Sequence, residues 1–150
     1  MSATPGKTRA LNVYEVQLAS PTGPRSLYFL DLPGYGYARA SKADRAAFAA
    51  LVRHVLHRPR LAGVVWLLDI RHEPSEGDRG MQDLLAAAGT RVLAAVTKSD
   101  KLSQAQRRQR EGTLRDALAL DEDQLVVTSA RTGLGLPELR ESIAALAGAA

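Results

Sequence analysis

Leu27 to Tyr37 reads LYFLDLPGYGY, an apolar segment that runs straight into Asp31, then Leu32-Pro33-Gly34, with a second glycine at Gly36. Such a segment followed by a Pro-Gly turn predicts a buried strand that ends in a loop. An acidic residue at the carboxyl end of a strand sits where open α/β sheets bind ligands. A glycine three residues on lets its N–H approach a phosphate oxygen with no Cβ in between. In a nucleotide switch, an Asp so placed holds Mg²⁺ through water and the glycine N–H meets the γ-phosphate. Asp-x-x-Gly alone is also a common turn, because Asp, Pro and Gly all suit one for backbone reasons. Company further along the chain decides between the two.

At 150 residues, with 45% apolar and 24% charged composition, the chain has enough apolar residues for one globular domain with its own core. No apolar run approaches the ~18 residues of a membrane span, and no charged segment followed by an apolar one opens the sequence. No membrane partner and a cytoplasmic location are therefore expected. The absence of cysteine excludes disulfides, thiolate metal sites and cysteine nucleophiles, and fits a reducing compartment. A net charge of +4 and a pI near 9.8 permit an acidic partner such as RNA without requiring one, since the cations are interspersed with Asp and Glu.

Gly6-Lys7-Thr8, near the start, looks like the tail of a P-loop, whose full pattern needs another glycine, a strand leading in and a helix leading out. None of these surrounds it. Leu11 to Leu18 alternates apolar and polar β-formers instead. Gly6 to Thr8 reads either as a Pro-Gly turn or as a loop whose Thr8 hydroxyl ligates Mg²⁺. Ser20 to Pro24 is a turn, and Leu27 to Leu30 the return strand of an antiparallel hairpin. Ser41 with Asp44 predicts a capping box opening a helix to about His57, stopped by Pro59, with Phe48, Leu51, Val52, Val55 and Leu56 on one face. His54 and His57 read as surface residues of that helix.

Leu61 to Ile70 is a continuous apolar run, as expected of a strand covered on both faces. Ser75 and Asp78 cap a helix through about Ala88, and Val92 to Val96 is the next buried strand, ending in Thr97-Lys98-Ser99-Asp100. A helix over about 103–120, a strand over 124–127, the loop 128–133 and a last helix over about 137–146 follow. Strand and helix alternate, which predicts an α/β fold with a doubly wound, mostly parallel sheet and its ligand loops at the strand carboxyl ends. The loop after each of two later strands suits guanine. Asp100 can accept hydrogen bonds from N1–H and the exocyclic amine, which adenine does not offer in that pattern, while the Lys98 stem packs along the base plane. Thr128-Ser129-Ala130 can present a backbone N–H to O6 and brace Asp100 through Ser129. Lys, Asp, Ser and Thr also cap strand ends for structural reasons; three such loops in this order are a stronger signal than any one.

With those loops in view, the chain resembles a translation-factor-type GTPase, and specifically the EngB family of bacterial ribosome-assembly GTPases. Thr4 to Thr8 resembles that family's switch I, Asp31 to Tyr37 its DLPGYG switch II, Asp69 to Pro74 its D-x-R-H-x-P loop, and Thr97 to Asp100 its TK-x-D guanine motif. The resemblance implies a Ras-like P-loop GTPase fold that binds GTP or GDP with Mg²⁺. It implies nucleotide contacts from Gly6, Lys7, Thr8, Arg9 and Ala10, from Asp31, Leu32, Pro33 and Gly34, from Thr97, Lys98, Ser99 and Asp100, and from Val127, Thr128 and Ser129. Thr8 and Asp31 are the implied Mg²⁺ ligands. It further implies a monomer that acts on the large ribosomal subunit or its rRNA, with effects on cell division and septation.

The departures are equally specific. The family opens with an apolar strand, a G-x-x-x-x-G-K-[ST] P-loop and a helix; this sequence begins after all three, so it reads as a single EngB-type G domain over residues 1–150, incomplete at its start. No catalytic residue is assigned, and Tyr35 stands where Ras-like proteins carry glutamine, as it does across the family. The absent strand would lie between those at Leu27 and Val64. Its loss forfeits on the order of 10 kcal/mol of apolar burial, which predicts a marginally stable chain. A non-catalytic relic that binds rRNA or ribosomal protein is the alternative expectation. Arg39, Lys42 and Arg45, with Arg71 and His72 on another loop, are expected to form a basic rim for that RNA, unless they are simply a solvated face.

Overall fold

The computed structural model describes residues 11–19, 23–35 and 41–148, which divide into two compact units, residues 1–55 and 56–150. In the first, β1 (Asn12–Leu18) and β2 (Arg25–Asp31) form an antiparallel pair with Tyr14 opposite Phe29 and Asn12 opposite Asp31. The expected burial of β2 does not hold, since Tyr28 is 65% exposed. Strand β2 pairs with β1 alone among the described residues, and a two-stranded ribbon covers neither of its faces. Helix α1 (Lys42–Leu56) begins at the expected capping box. The Ser41 hydroxyl accepts from the Asp44 N–H at 3.0 Å, and the Asp44 carboxylate accepts from the Ser41 N–H at 3.2 Å. Val52 and Val55 are buried on the predicted apolar face, and Phe48 meets Tyr35 with ring centroids 5.8 Å apart. His54 and His57 are exposed, as read.

The second unit holds a three-stranded parallel sheet in the order β3 (Val64–Asp69), β4 (Val92–Thr97), β5 (Leu125–Val127). Leu93, Ala94, Ala95 and Val96 are all buried, as a central strand flanked on both edges and covered on both faces demands. Strand β3 departs from that pattern: Trp66, Leu68 and Ile70 are buried, but Leu67 is 66% exposed. Among the described residues it is one edge of its sheet, and only one of its faces is fully covered.

Helices α2 (Glu76–Ala88), α3 (Gln104–Ala117) and α4 (Leu136–Gly148) alternate with these strands. Ser75 with Asp78 and Ser103 with Gln106 form complete capping boxes, and α2 stops at Gly89 in the left-handed region. Met81 and Leu85 of α2 and Leu114 of α3 face inward. Leu146 of α4 lies so close to Gly63 that a Cβ there would meet its Cδ1 at 2.7 Å. The strand-helix alternation and parallel register are those of a doubly wound α/β domain, with the loops following β3, β4 and β5 emerging at one edge.

Candidate functional site

The parallel register sets Asp69 opposite Thr97 and Val96 opposite Val127, so the three strands end together. Hydrogen bonds extend the ladder just past those ends: the Ile70 N–H donates to the Thr97 carbonyl at 3.1 Å and the Thr128 N–H to the Val96 carbonyl at 2.7 Å. Threonine hydroxyls finish the edge, Thr97 donating to the Leu68 carbonyl at 3.0 Å and Thr128 to the Val96 carbonyl at 3.2 Å. The side chains of Thr97 and Thr128, both candidate contacts, are therefore used to square off the sheet.

Beyond β4 the chain makes a tight turn. Lys98 takes the left-handed conformation at φ 62, and the Lys101 N–H returns to its carbonyl at 3.0 Å. The Ser99 N–H donates to the Thr128 carbonyl at 3.2 Å, tying this turn to the loop after β5. Ser99 and Ser129 are fully enclosed, and neither side chain faces solvent. Ser129 braces instead: its hydroxyl donates to Asp100 Oδ1 at 2.8 Å and accepts from the Thr132 N–H at 3.2 Å. The brace read from the sequence is present.

Asp100 shows the site's chemistry most plainly. Its side chain is 11% exposed, and its Oδ2 is a buried oxygen with no hydrogen-bond partner among the described residues. Lys101 Nζ and Arg131 Nη1 stand off at 3.9 and 3.8 Å, near enough for charge and too far for a hydrogen bond. The Ser129 hydroxyl holds the Asp100 carboxyl below its ordinary value against the opposing effect of burial, helped by Lys101 and Arg131. The result is an acceptor with Oδ1 held by Ser129 and Oδ2 paired through charge alone. Buried carboxylate oxygens are costly to leave unpaired, so the arrangement fits a planar N–H donor pair.

The partner for a carbonyl oxygen is narrower than the sequence indicated. The Thr128 N–H is taken by Val96, and the Ser129 N–H donates to the Leu134 carbonyl at 3.0 Å. Both therefore drop out as donors to a ligand, and the exposed Ala130 N–H is the next in line. This loop closes through Gly135 at φ 69, where an added Cβ would fall 2.0 Å from the Val127 carbonyl oxygen.

Lys98 reaches the other way. Its Nζ donates to Asp69 Oδ2 at 2.9 Å, and Arg71 clasps the same carboxylate through Nε to Oδ1 at 2.9 Å and Nη2 to Oδ2 at 2.6 Å. The Arg71 guanidinium holds the Asp69 carboxyl well below the usual carboxylate range, with Lys98 assisting against burial, and Asp69 in turn raises Arg71. Asp69 was legible as a motif residue at a strand end, but its pairing with Lys98 depends on sheet register. Arg71, expected in a basic rim, has its charge engaged here.

In the first unit, Asp31 is exposed at the end of β2, followed by Leu32, Pro33 and Gly34. A Cβ added at Gly34 would meet nothing within 4 Å, so the chain's own packing does not demand glycine there. Gly6, Lys7, Thr8, Arg9, Ala10 and Arg39 lie outside the described residues. No group of three or more metal-ligating side chains occurs among the described residues.

This fold defines the class, a G domain of the P-loop GTPase type. A crystal structure of a probable GTP-binding protein engB superposes with TM-score 0.66 at 15% identity, covering 82% of this chain and 78% of that one. The FeoB G-domain of Methanococcus jannaschii matches at TM-score 0.58 and 20% identity over 89% of this chain and 79% of that one. No family model matches. In sequence, the chain is 44% identical over 144 residues to "Probable GTP-binding protein EngB" of Gemmatimonas aurantiaca, covering 95% of this chain and 67% of the relative. It is 42% identical over 146 residues to the protein of that name in Syntrophomonas wolfei, covering 97% and 72%. It is 41% identical over 150 residues to that of Anaeromyxobacter dehalogenans, covering 98% and 69%. The chain belongs to the EngB family of GTP-binding proteins.

Proposed function

We propose that the chain binds GTP and GDP and acts in assembly of the large ribosomal subunit, in the cytoplasm, with consequences for cell division. The observation that carries the nucleotide part is the Asp100 carboxylate, braced by Ser129 on one oxygen and without a hydrogen bond on the other. The guanine N1–H and exocyclic amine donate to Asp100, O6 accepts from the Ala130 N–H, and the Lys98 stem lies along the base. Adenine presents an acceptor at N1 and so leaves the carboxylate unpaired, a mismatch that discriminates strongly in a buried site.

Asp31 is assigned to Mg²⁺, held through water, and Gly34 to phosphate, on the resemblance of Asp31 to Tyr37 to the EngB switch II; Thr8 is the second assigned Mg²⁺ ligand. The exposure of Asp31 and the open space at Gly34 suit both roles. Bound Mg²⁺ would neutralise phosphate charge. The ribosomal part is supported by family membership, and the net charge of +4 permits a polyanionic partner. Competition of labelled GDP by unlabelled GDP and ADP tests the base reading: GDP displaces it and ADP does not, and equal displacement would contradict the assignment of Asp100. Sedimentation of the chain with purified subunits tests the partner, with binding to large subunits expected and indifference between large and small contradicting it.

A further inference from the structure

Asp69 stands at the end of β3, opposite Thr97 and hence beside the turn that carries Lys98 and Asp100. Its two oxygens accept from two cations. Arg71 occupies Oδ1 through its backbone N–H at 3.1 Å and Nε at 2.9 Å, and reaches Oδ2 through Nη2 at 2.6 Å. Lys98 Nζ occupies the remaining position on Oδ2 at 2.9 Å. Lys98 is thereby fixed at both ends. Its backbone is locked by the turn at φ 62, an uncommon conformation for a lysine, and its ammonium is moored one strand away. The four-carbon stem between them is laid across the carboxyl edge of the sheet from β4 towards β3.

An unmoored lysine here has a competing carboxylate two residues on. Asp100 Oδ2 is buried and without a hydrogen bond, with Lys101 Nζ at 3.9 Å and Arg131 Nη1 at 3.8 Å, and an unmoored Lys98 ammonium on the same turn would be a further cation drawn to it. Asp69 removes that competitor by holding it elsewhere. We infer that Asp69 is a positioning residue for guanine-nucleotide binding: it moors the Lys98 ammonium so that the lysine stem forms a fixed wall for the base and the Asp100 carboxylate stays open to receive it. The inference rests on the reading of Asp100 as the guanine acceptor. Arg71 serves it by fixing the Asp69 carboxylate through three hydrogen bonds, and the same contacts keep it ionised into the acid range. An ion pair that merely adds surface stability is the competing explanation, because Lys98 is half exposed.

A double-mutant cycle separates the two, with GDP and IDP, which lacks the 2-amino group, titrated into the chain and into Asp69→Asn, Lys98→Met and the combined variant. Asp69→Asn is expected to weaken GDP and IDP by the same factor, roughly three- to tenfold, and to add no loss once Lys98 is methionine. Additive losses, no loss in Asp69→Asn, or a changed GDP-to-IDP ratio would overturn the inference and leave the role of Asp100 standing. Absence of GDP binding by the unaltered chain would overturn both. A measurement on the unaltered chain needs no variant to fold: the scalar coupling between Lys98 Nζ and the Asp69 carboxyl carbon persists at saturating GDP. Its disappearance on binding overturns the mooring role.

Discussion

At the scale of single residues, the site rests on two hydrogen bonds of the Ser129 hydroxyl, one donated and one accepted. Its hydroxyl links Asp100 to the Thr132 N–H, and its lowering of the Asp100 carboxyl has a definite sign. A depressed carboxylate contributes stability that is present above the unfolded value near ~3.9 and is lost as pH falls through the folded value. Ser129→Ala should therefore move the Asp100 midpoint upward in a carboxyl-carbon NMR titration; an unmoved midpoint would mean that the brace does not act on its charge. Gly135→Ala should cost roughly 2–4 kcal/mol in urea unfolding, because the left-handed backbone disfavours a side chain and the new Cβ strikes the Val127 carbonyl. A loss below ~1 kcal/mol would show that the loop can yield. The Ser129 brace on Asp100 was legible from the sequence because residue type and strand-end position sufficed. Which backbone N–H of that loop is left over was not, because it depends on which amides the turn through Gly135 consumes, and Val96 and Leu134 take the two that looked available.

At the scale of elements, Asp69 ties the end of β3 to both the loop after it and the turn after β4. Its depressed carboxyl means that the Arg71 and Lys98 contacts stabilise the fold above the ordinary carboxylate range and fade as pH drops below it. Asp69→Asn should cost about 1 kcal/mol at neutral pH once solvent screening is allowed for. The difference from the unaltered chain should hold level from pH 8 to about 5 and shrink below about pH 4. A difference that ignores acid would assign the cost to packing rather than charge. The order of strands and helices was legible throughout unit 2, since short apolar runs alternate with helical stretches and the Ser75-Asp78 cap marks the start of α2. Burial was read less well. An apolar run shows that a strand can be covered and does not show which faces are, so Tyr28 of β2 and Leu67 of β3 were expected inside and stand exposed.

At the scale of the molecule, charge sets the expectations. If Arg39, Lys42 and Arg45 meet rRNA, replacing all three with Ala should flatten the log–log salt dependence of large-subunit binding by about one unit per phosphate released, leaving nucleotide affinity unchanged. An unaltered slope would remove them from the interface. The family was legible from DLPGYG joined to R-H-x-P and TK-x-D, because those motifs are short-range and survive without knowledge of the fold. The central claim, that Asp100 reads guanine, is tested most directly by titrating GDP and XDP into the chain and its Asp100→Asn variant. The account predicts that GDP weakens by roughly ten- to a hundredfold while XDP, whose C2 carbonyl suits an amide donor, strengthens; an unchanged preference for GDP would contradict it.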